Sequence, residues 1–340
     1  MKIDATYRQP LSPWIGHWLL AIAAMIFAMV VVGGATRLTG SGLSITEWNP
    51  IMGAIPPLSS ADWQVAFEKY KLSSQYRLQN SGMSISDFQF IFWWEWTHRV
   101  LGRAVGVAAL MPMALVLIGR GSKSKRMFTM LLAVPVLVGL QGALGWYMVA
   151  SGLVDRVSVS QYRLAAHLTL AALIFAITFW VYFSLNQRHR WLGSGAQALA
   201  LVIAALVLLQ IAAGGFVAGL DAGQGYNTWP LMDGAWVPSG LLAAQPWWSN
   251  LFENALTVQF DHRMLAYLVF ALVTVQAMIT RQTSANVLLA LVLLQALLGI
   301  STLLLQVPLP LALFHQAGAL VVLAAAVWNL SRQTSIYPIA

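Results

Sequence analysis

The sequence contains no cysteine and few charged residues. Of its 340 residues, 19 are Lys or Arg and 11 are Asp or Glu, so charged side chains make up 9%, against roughly 25% in a soluble domain. The missing cysteines exclude disulfide scaffolds, thiolate-bound zinc or iron–sulfur clusters and cysteine nucleophiles. Any metal chemistry must therefore use histidine or oxygen ligands.

Apolar residues are abundant instead. Hydrophobic side chains make up 59% of the chain and the mean hydropathy is +0.71, which leaves too little polar surface to cover a water-soluble globule. We attribute the net charge of +8 to membrane topology and not to polyanion binding. We expect an integral membrane protein that contacts lipid and has no nucleic-acid partner.

Eight apolar runs are long enough to cross a membrane as helices. A hydrocarbon core about 30 Å thick needs about 20 residues at 1.5 Å rise, and open sheet edges do not survive there. The runs lie near residues 15–35, 92–118, 127–149, 162–184, 196–219, 260–280, 285–305 and 309–330. They predict an all-α integral membrane protein with eight transmembrane helices. The first run is too long for a signal-peptide core, so we expect an uncleaved anchor.

The short connections between these runs differ in basic residues. Connections 119–126, 185–195 and 281–284 carry Arg120, Lys123, Lys125, Arg126, Arg188, Arg190 and Arg281. Connection 150–161 has only Arg156, and connections 220–259 and 306–308 have none. Because Lys and Arg are retained on the cytoplasmic side, we expect both termini to be cytoplasmic, in the plasma (inner) membrane.

The long connection after the first run is predicted to contain a helix of its own. Apolar residues recur at i, i+3, i+4 and i+7 from Trp63 to Tyr70. Ser59 and Asp62 precede or open this pattern and are typical of a helix start. We expect an amphipathic helix at the membrane interface.

The chain contains an internal duplication. At an offset of 181 (229 minus 48), Gly33, Gly34, Trp48, Gly53, Ala54 and Pro57 match Gly214, Gly215, Trp229, Gly234, Ala235 and Pro238. Thr97-His98-Arg99 matches Asp261-His262-Arg263 at 164, Gln141 and Gly145 match Gln295 and Gly299 at 154, and His167 matches His315 at 148. An even number of spans per repeat inserts both halves in the same sense. We predict two pseudo-symmetric four-helix bundles, residues 1–190 and 191–340.

Four of the six histidines occupy equivalent places in the predicted topology. They lie near the starts of spans two, four, six and eight, and all four of these spans are predicted to enter the membrane from the outer side. The four residues are His98, His167, His262 and His315. The other two, on the cytoplasmic side, are His17 and His189. Ionisable groups inside a membrane are functional by default, and two histidines on facing helices can hold a haem iron. We therefore predict one haem site per half, toward the outer side.

The two halves differ three residues before the first histidine of each. Glu95 shares a helical face with His98, whereas Gln259 precedes His262. A carboxyl group at this depth is suited to moving protons near a reacting group; the alternative is a structural hydrogen-bond partner. The difference suggests that the first half performs chemistry and that the second holds a prosthetic haem.

Three arginines lie close to the predicted outer interface. Arg99 and Arg263 follow their histidines directly, and Arg103 lies one turn after Arg99. Guanidinium groups bind carboxylates through two parallel hydrogen bonds, so these arginines are candidate ligands of haem propionates. Snorkelling toward lipid headgroups is the alternative.

Together these features resemble the haem A synthase family. Four plus four spans, Glu-x-x-His-Arg from Glu95 to Arg99, Asp-His-Arg from Asp261 to Arg263 and Gly-Gly-x-Thr-Arg-Leu-Thr-x-Ser-Gly-Leu from Gly33 to Leu43 cover nearly the whole chain. The resemblance implies that a methyl group of haem O is oxidised, through a hydroxymethyl stage, to the formyl group of haem A used by terminal oxidases. Because some relatives carry paired cysteines in the outer loops, this sequence resembles the cysteine-free branch.

The resemblance also assigns roles to residues and partners. It implies that His98 and His167 hold the substrate haem O, that His262 and His315 hold a haem b cofactor, and that Glu95 is catalytic. It implies a connection with haem O synthase and with cytochrome oxidase assembly. The sequence has no dinucleotide fingerprint, P-loop or soluble redox domain, so the electron partner is expected to be separate, either a quinone or a neighbouring protein. The motifs leave open whether haem b relays electrons or stabilises the fold.

Two other interpretations use the same residues. A dihaem cytochrome that only transfers electrons needs the four histidines but gives no reason for the difference between Glu95 and Gln259. A duplicated transporter also shows parallel repeats, but four histidines at one depth do not form a path across the membrane. Replacing Glu95 with Gln separates a synthase from an electron carrier.

Overall fold

The computed structural model describes residues 13–49, 52–117, 125–154, 156–185, 187–189 and 193–338. The helices within these ranges are α1 (Pro13–Leu38), α2 (Ser60–Lys71), α3 (Ser74–Leu78), α4 (Ile85–Leu117), α5 (Lys125–Gly152), α6 (Gln161–Leu185), α7 (Gly195–Gly219), α8 (Ala222–Gly225), α9 (Asn250–Glu253), α10 (Ala255–Thr280), α11 (Thr283–Leu304) and α12 (Leu309–Thr334). Two 3-10 turns, Met52–Ala54 and Trp247–Ser249, lie in the connections.

Each predicted apolar run coincides with one long helix. These helices are α1, α4, α5, α6, α7, α10, α11 and α12. Seven of them, all except α4, are long and apolar enough to cross a membrane by length and composition. The predicted class, a helical multi-pass membrane protein, is confirmed.

Two long helices begin earlier than their apolar runs because polar residues cap them. α4 begins at Ile85, where Ser84 Oγ donates to Asp87 Oδ2 at 2.6 Å and accepts from the Asp87 backbone N–H at 3.2 Å. α10 begins at Ala255, where Asn254 Oδ1 accepts the Leu256 N–H at 3.0 Å. Side chains that satisfy the first free N–H groups extend a helix into polar sequence, which an apolar run cannot reveal.

The predicted amphipathic helix is present as α2. Ser59 and Asp62 form a reciprocal capping box at its start, as their spacing predicted. Phe67 and Tyr70 are buried in an aromatic cluster with Phe88 and its neighbours on α4. The apolar face of α2 therefore packs on the N-terminal end of α4.

The long helices pack as two closed rings of four. α1, α4, α5 and α6 contact one another in that cyclic order, and α7, α10, α11 and α12 do the same. The rings meet through the pairs α6–α7, α1–α12 and α6–α12. At the α6–α7 contact, a Cβ on Gly215 would come within 2.9 Å of Ala165 Cα. Glycine is required for this close crossing.

One short antiparallel ladder lies outside the helices. β1 (Gln187–His189) pairs with β2 (Ser335–Pro338), although the sequence prediction contained no strand. Ile336 and Tyr337 have the β-branched and aromatic side chains that favour strands. Of the basic residues used to predict orientation, Arg120, Lys123 and Arg190 lie outside the described residues.

Candidate functional site

The four predicted ligands lie on four different long helices. All four are half-buried. They are His98 on α4, His167 on α6, His262 on α10 and His315 on α12. Since α4 and α6 stand opposite each other in the first ring, and α10 and α12 in the second, each ring holds one opposed pair. The two remaining histidines are placed apart from both pairs, with His17 exposed on α1 and His189 in β1.

In the first ring, each imidazole lies against a glycine of a neighbouring helix. A Cβ on Gly33 of α1 would come within 3.0 Å of His98 Nε2. A Cβ on Gly145 of α5 would come within 2.9 Å of His167 Cε1. Any larger residue at either position would displace the imidazole.

The second ring repeats this arrangement. A Cβ on Gly214 of α7 would come within 3.3 Å of His262 Cε1, and one on Gly299 of α11 within 2.7 Å of His315 Cε1. The two glycines and two histidines follow those of the first ring at the sequence offsets of 181, 164, 154 and 148 residues. The sequence offsets therefore relate equivalent contacts in space.

Glu95 is buried beside the first histidine and has several hydrogen-bond donors. Its Oε1 accepts from Arg99 Nε at 3.0 Å and from Arg99 Nη2. Its Oε2 accepts from Ser44 Oγ and from the Ile45 backbone N–H, both at 2.8 Å. The ion pair is almost fully buried, with side-chain exposures of 10% for Arg99 and 3% for Glu95. It fixes the loop after α1 onto α4.

Gln259 binds the equivalent loop of the second half as a neutral amide. Its Nε2 donates to the carbonyl oxygens of Ala222 and Tyr226, both at 2.9 Å, and its Oε1 accepts from Arg263 Nη2 at 2.8 Å. Tyr226 follows Ile45 by the same offset of 181 (226 minus 45). The same loop position is therefore held by an ion pair in one half and by amide hydrogen bonds in the other.

The three candidate propionate ligands also bind these loops. Arg99 donates to the carbonyl oxygens of Ile45 at 2.8 Å and Glu47 at 3.0 Å. Arg103 Nη2 donates to the Asn49 carbonyl at 3.0 Å. Arg263 Nη2 donates to the Tyr226 carbonyl at 3.1 Å, while its Nε is buried with no hydrogen-bond partner among the described residues. Arg263 thus retains a free donor that the sequence could not reveal.

Glutamines bind the histidine-bearing helices at three places. Gln141 Nε2 donates to the His167 carbonyl at 3.0 Å, and Gln295 Nε2 donates to the His315 carbonyl at 2.8 Å. Sequence reasoning missed the third, Gln210 of α7, which lies beside the ring of His262. An isolated amide in an apolar run was its only signal.

These residues fit a haem with two axial histidines in each ring. The imidazoles are opposed across a bundle, and glycines leave space beside them. Guanidinium groups lie at the loops that follow α1 and α7, where they could supply counter-charges to propionates. The Nδ1 atom of His167 is buried and has no hydrogen-bond partner among the described residues. A buried polar atom without a partner is costly, so a ligand or water is expected to pair with it.

Comparison with known proteins gives the family. The family described as cytochrome oxidase assembly protein (COX15-CtaA) matches residues 16–327. The chain belongs to this family. Similar curated proteins extend over the same length, so the match is not confined to one half.

Three such relatives of the family all carry the name Heme A synthase. The protein from Azorhizobium caulinodans is 54% identical over 326 residues, which cover 92% of each chain. The protein from Parvibaculum lavamentivorans is 50% identical over 97% of this chain and 96% of its own. The protein from Brucella ovis is 51% identical over 94% of this chain and 92% of its own.

Proposed function

We propose that this protein is a haem A synthase, a membrane oxidoreductase that converts a methyl group of haem O into the formyl group of haem A through a hydroxymethyl stage. The observation that carries the proposal is the pair of opposed, glycine-backed histidines in each ring. It occurs in a chain about half identical to several proteins named Heme A synthase. The product haem A would serve terminal oxidases.

We propose that all eight long helices span the plasma (inner) membrane as two pseudo-symmetric bundles, residues 1–190 and 191–340. The two rings support this, because each joins its helices in the same cyclic order. The contacts between rings also follow a two-fold pattern, since α6–α7 and α12–α1 are equivalent pairs. Both termini would be cytoplasmic and the haem sites would lie toward the outer side.

We assign haem O to His98 and His167, and a haem b cofactor to His262 and His315. The second half has Gln259 at the position equivalent to Glu95. This difference supports placing the substrate haem in the first half, because the equivalent position of the second half has no carboxylate. Haem b, when bound, supplies one-electron redox chemistry at its iron. Its role would be electron relay or stabilisation of the fold.

Glu95 would accept and return a proton at Oε1 during the oxidation. Arg99 holds this oxygen in the ion pair, so the oxygen becomes available when Arg99 turns toward a haem propionate. Arg103 and Arg263 would bind propionates at the outer ends of the two sites. The unpaired Nε of Arg263 supports its assignment.

The electron partner would be a separate molecule, a quinone or a neighbouring protein. Haem O synthase would supply the substrate, and haem A would pass to oxidase assembly. The relatives' family description, cytochrome oxidase assembly protein, supports this connection.

The first test is to identify the haems extracted from the purified protein after co-expression with a haem O source. We expect haem b together with haem O, hydroxylated haem O or haem A, resolved by chromatography and mass spectrometry. Haem b alone, near two per chain, would contradict the synthase. A protein without haem would contradict both haem proposals and favour a transporter.

Replacement of Glu95 with Gln tests its role while keeping the size of the side chain and its contact with Arg99. In the Glu95→Gln variant an amide oxygen remains for Arg99, as Gln259 provides for Arg263. We expect both haems to bind and conversion to haem A to fall by about 10²-fold or more, as for loss of a general acid or base. Glu68→Gln, on the exposed face of α2, is the matched control. A wild-type conversion rate in Glu95→Gln would exclude a catalytic role.

A dihaem cytochrome is the second candidate function. The close equivalence of the glycine–histidine contacts in the two rings is what favours it, because an electron carrier needs two similar resident haems. In that case Glu95→Gln would leave haem reduction kinetics unchanged, and no modified haem would be extracted.

A further inference from the structure

An amide from a neighbouring helix contacts the His262 ring. Gln210 Nε2 on α7 lies 3.1 Å from Nδ1 and 3.2 Å from Nε2 of His262, and it donates to the His262 carbonyl at 3.0 Å. Gln210 is one helical turn before Gly214, the glycine against which the same ring lies. One face of α7 therefore provides both the space for this imidazole and a polar partner for it.

In the first half, a methionine takes the place of this amide. The position equivalent to Gln210 is Met29 (210 minus 181). The Met29 Cε atom lies 3.2 Å from where a Cβ on Gly102 would be, and Gly102 is one turn after His98. Methionine offers only a weak thioether acceptor, and the described residues include no hydrogen-bond partner of the His98 ring.

The opposing histidines reinforce this difference. Gln295 Nε2 lies 3.1 Å from Nδ1 of His315 as well as bonding its carbonyl. Gln141, the equivalent glutamine, bonds the His167 carbonyl, and Nδ1 of His167 has no partner among the described residues. Both rings of the second site thus have an amide nitrogen within hydrogen-bond distance, and among the described residues neither ring of the first site does. Of the two equivalent pairs, Gln141/Gln295 and Met29/Gln210, only the second differs in residue type.

The amide of Gln210 could accept a hydrogen bond from the proton that a metal-bound imidazole carries on its other ring nitrogen. When one ring nitrogen binds iron, the other carries the proton and must donate it to an acceptor, which fixes the ring and strengthens the ligand. The Gln210 Oε1 atom is buried without a partner among the described residues. Rotation of the terminal amide torsion, which is broad and roughly two-fold, would exchange Nε2 for Oε1 beside the imidazole.

We propose that Gln210 is the positioning residue that makes the second haem resident, and that Met29 at the equivalent place makes the first haem exchangeable. A cofactor must stay through many turnovers, whereas a substrate must enter and its product must leave. The inference rests on the proposed function, in which His262 and His315 bind haem b and His98 and His167 bind haem O.

The test exchanges the two residues in the full-length protein and measures haem release. Gln210→Met gives the second site the side chain of the first, and Met29→Gln does the reverse. Haem b and haem O transfer to excess apomyoglobin is followed for each variant. We expect Gln210→Met to release haem b about 10- to 100-fold faster, the range for loss of a residue that orients a metal ligand. Met29→Gln should slow release of haem O.

Ferric electron paramagnetic resonance adds a readout that a merely structural contact would not change. The g values of the haem b signal should shift in Gln210→Met, because they report the hydrogen bonding of the axial imidazole. The control is Gln276→Met, since Gln276 also ties α10 to α7, through the Ala196 carbonyl at 3.3 Å, but far along the helix from His262. We expect wild-type release rates and g values for this control.

Three outcomes would contradict the inference, and they differ in what else they exclude. A wild-type release rate and unchanged g values in Gln210→Met would overturn it while leaving the proposed function intact. Equal acceleration by Gln276→Met would assign the effect to general loosening of α7 and α10. Persistence of haem b in a His262→Ala variant would overturn the haem assignment and this inference together.

Discussion

At the scale of single residues, the glycines that face the histidines determine how much room each imidazole has. The closest of these approaches is at Gly299, where an added Cβ would lie 2.7 Å from His315 Cε1. Real Cβ atoms do not come this near, so Gly299→Ala must displace the ring. We expect about tenfold or greater loss of haem b affinity, as for other displaced metal ligands, measured as haem b per purified chain.

A second glycine gives the matched control for that substitution. Gly142 lies on α5, and no atom is within 4 Å of a Cβ placed on it. Gly142→Ala should keep full haem content and should stabilise its helix by up to about 1 kcal/mol. A full haem b content in Gly299→Ala would contradict the proposed tight fit around His315.

Sequence reasoning reached the ligands at this scale but not their surroundings. The histidines were recognisable because four ionisable groups recur at one depth in an apolar chain. Gln210 was not recognisable. A single amide in an apolar run shows no pattern that distinguishes contact with an imidazole from a hydrogen bond that joins two helices. The ion pair of Glu95 with Arg99 has the i, i+4 spacing of a helical pair, but the sequence alone does not choose between this pair and propionate binding by Arg99.

At the scale of secondary-structure elements, α2 depends on the capping box at its start. The Ser59 hydroxyl and backbone N–H groups hold the pKa of Asp62 below its ordinary value. Because the folded pKa is the lower one, the cap stabilises α2 above the ordinary pKa of Asp62. This contribution is lost as the pH falls through the lowered value.

Hydrogen exchange of the α2 amides measures this contribution. Ser59→Ala should weaken the helix by about 1 kcal/mol, as for other N-caps, and should speed local exchange at neutral pH. The wild-type advantage over Ser59→Ala should shrink as the medium is acidified below the Asp62 pKa. An advantage that is constant over the whole pH range would show that Asp62 does not take part in the cap.

At the crossing of α6 and α7, the backbones of two helices come close together. A Cβ on Gly215 would meet the Ala165 backbone at 2.9 Å, and backbone cannot yield as a flexible side chain does. We expect Gly215→Leu to destabilise the protein by about 1–3 kcal/mol, the usual range for overpacking, measured by thermal unfolding in detergent. Gly139→Leu, where no atom lies within 4 Å, should leave the midpoint unchanged, and equal losses in both would contradict this account.

At the scale of the whole molecule, the repeated motifs led to the prediction of two equivalent helix bundles. Offsets that decrease from 181 to 148 gave the order of equivalent elements, and equivalent glycine–histidine contacts follow them. One polar contact between the halves does not follow from the repeat. Arg37 of α1 bonds the Ala218 carbonyl at 3.0 Å and Asp221 at 3.1 Å, and no second copy of this pair is possible because Ala218 itself occupies the position equivalent to Arg37 (218 minus 181).

The predicted orientation in the membrane can be tested because the chain has no cysteine, so a single introduced thiol is the only one to react. Ser239, in the connection between α7 and α10, and Thr283, at the start of α11, are both exposed. If both termini are cytoplasmic, a membrane-impermeant maleimide should label Ser239→Cys in intact cells. It should label Thr283→Cys only after the membrane is opened. An even number of spans puts both termini on one side of the membrane. The reverse labelling pattern would therefore show that both termini are outside and that the haem sites lie toward the cytoplasm.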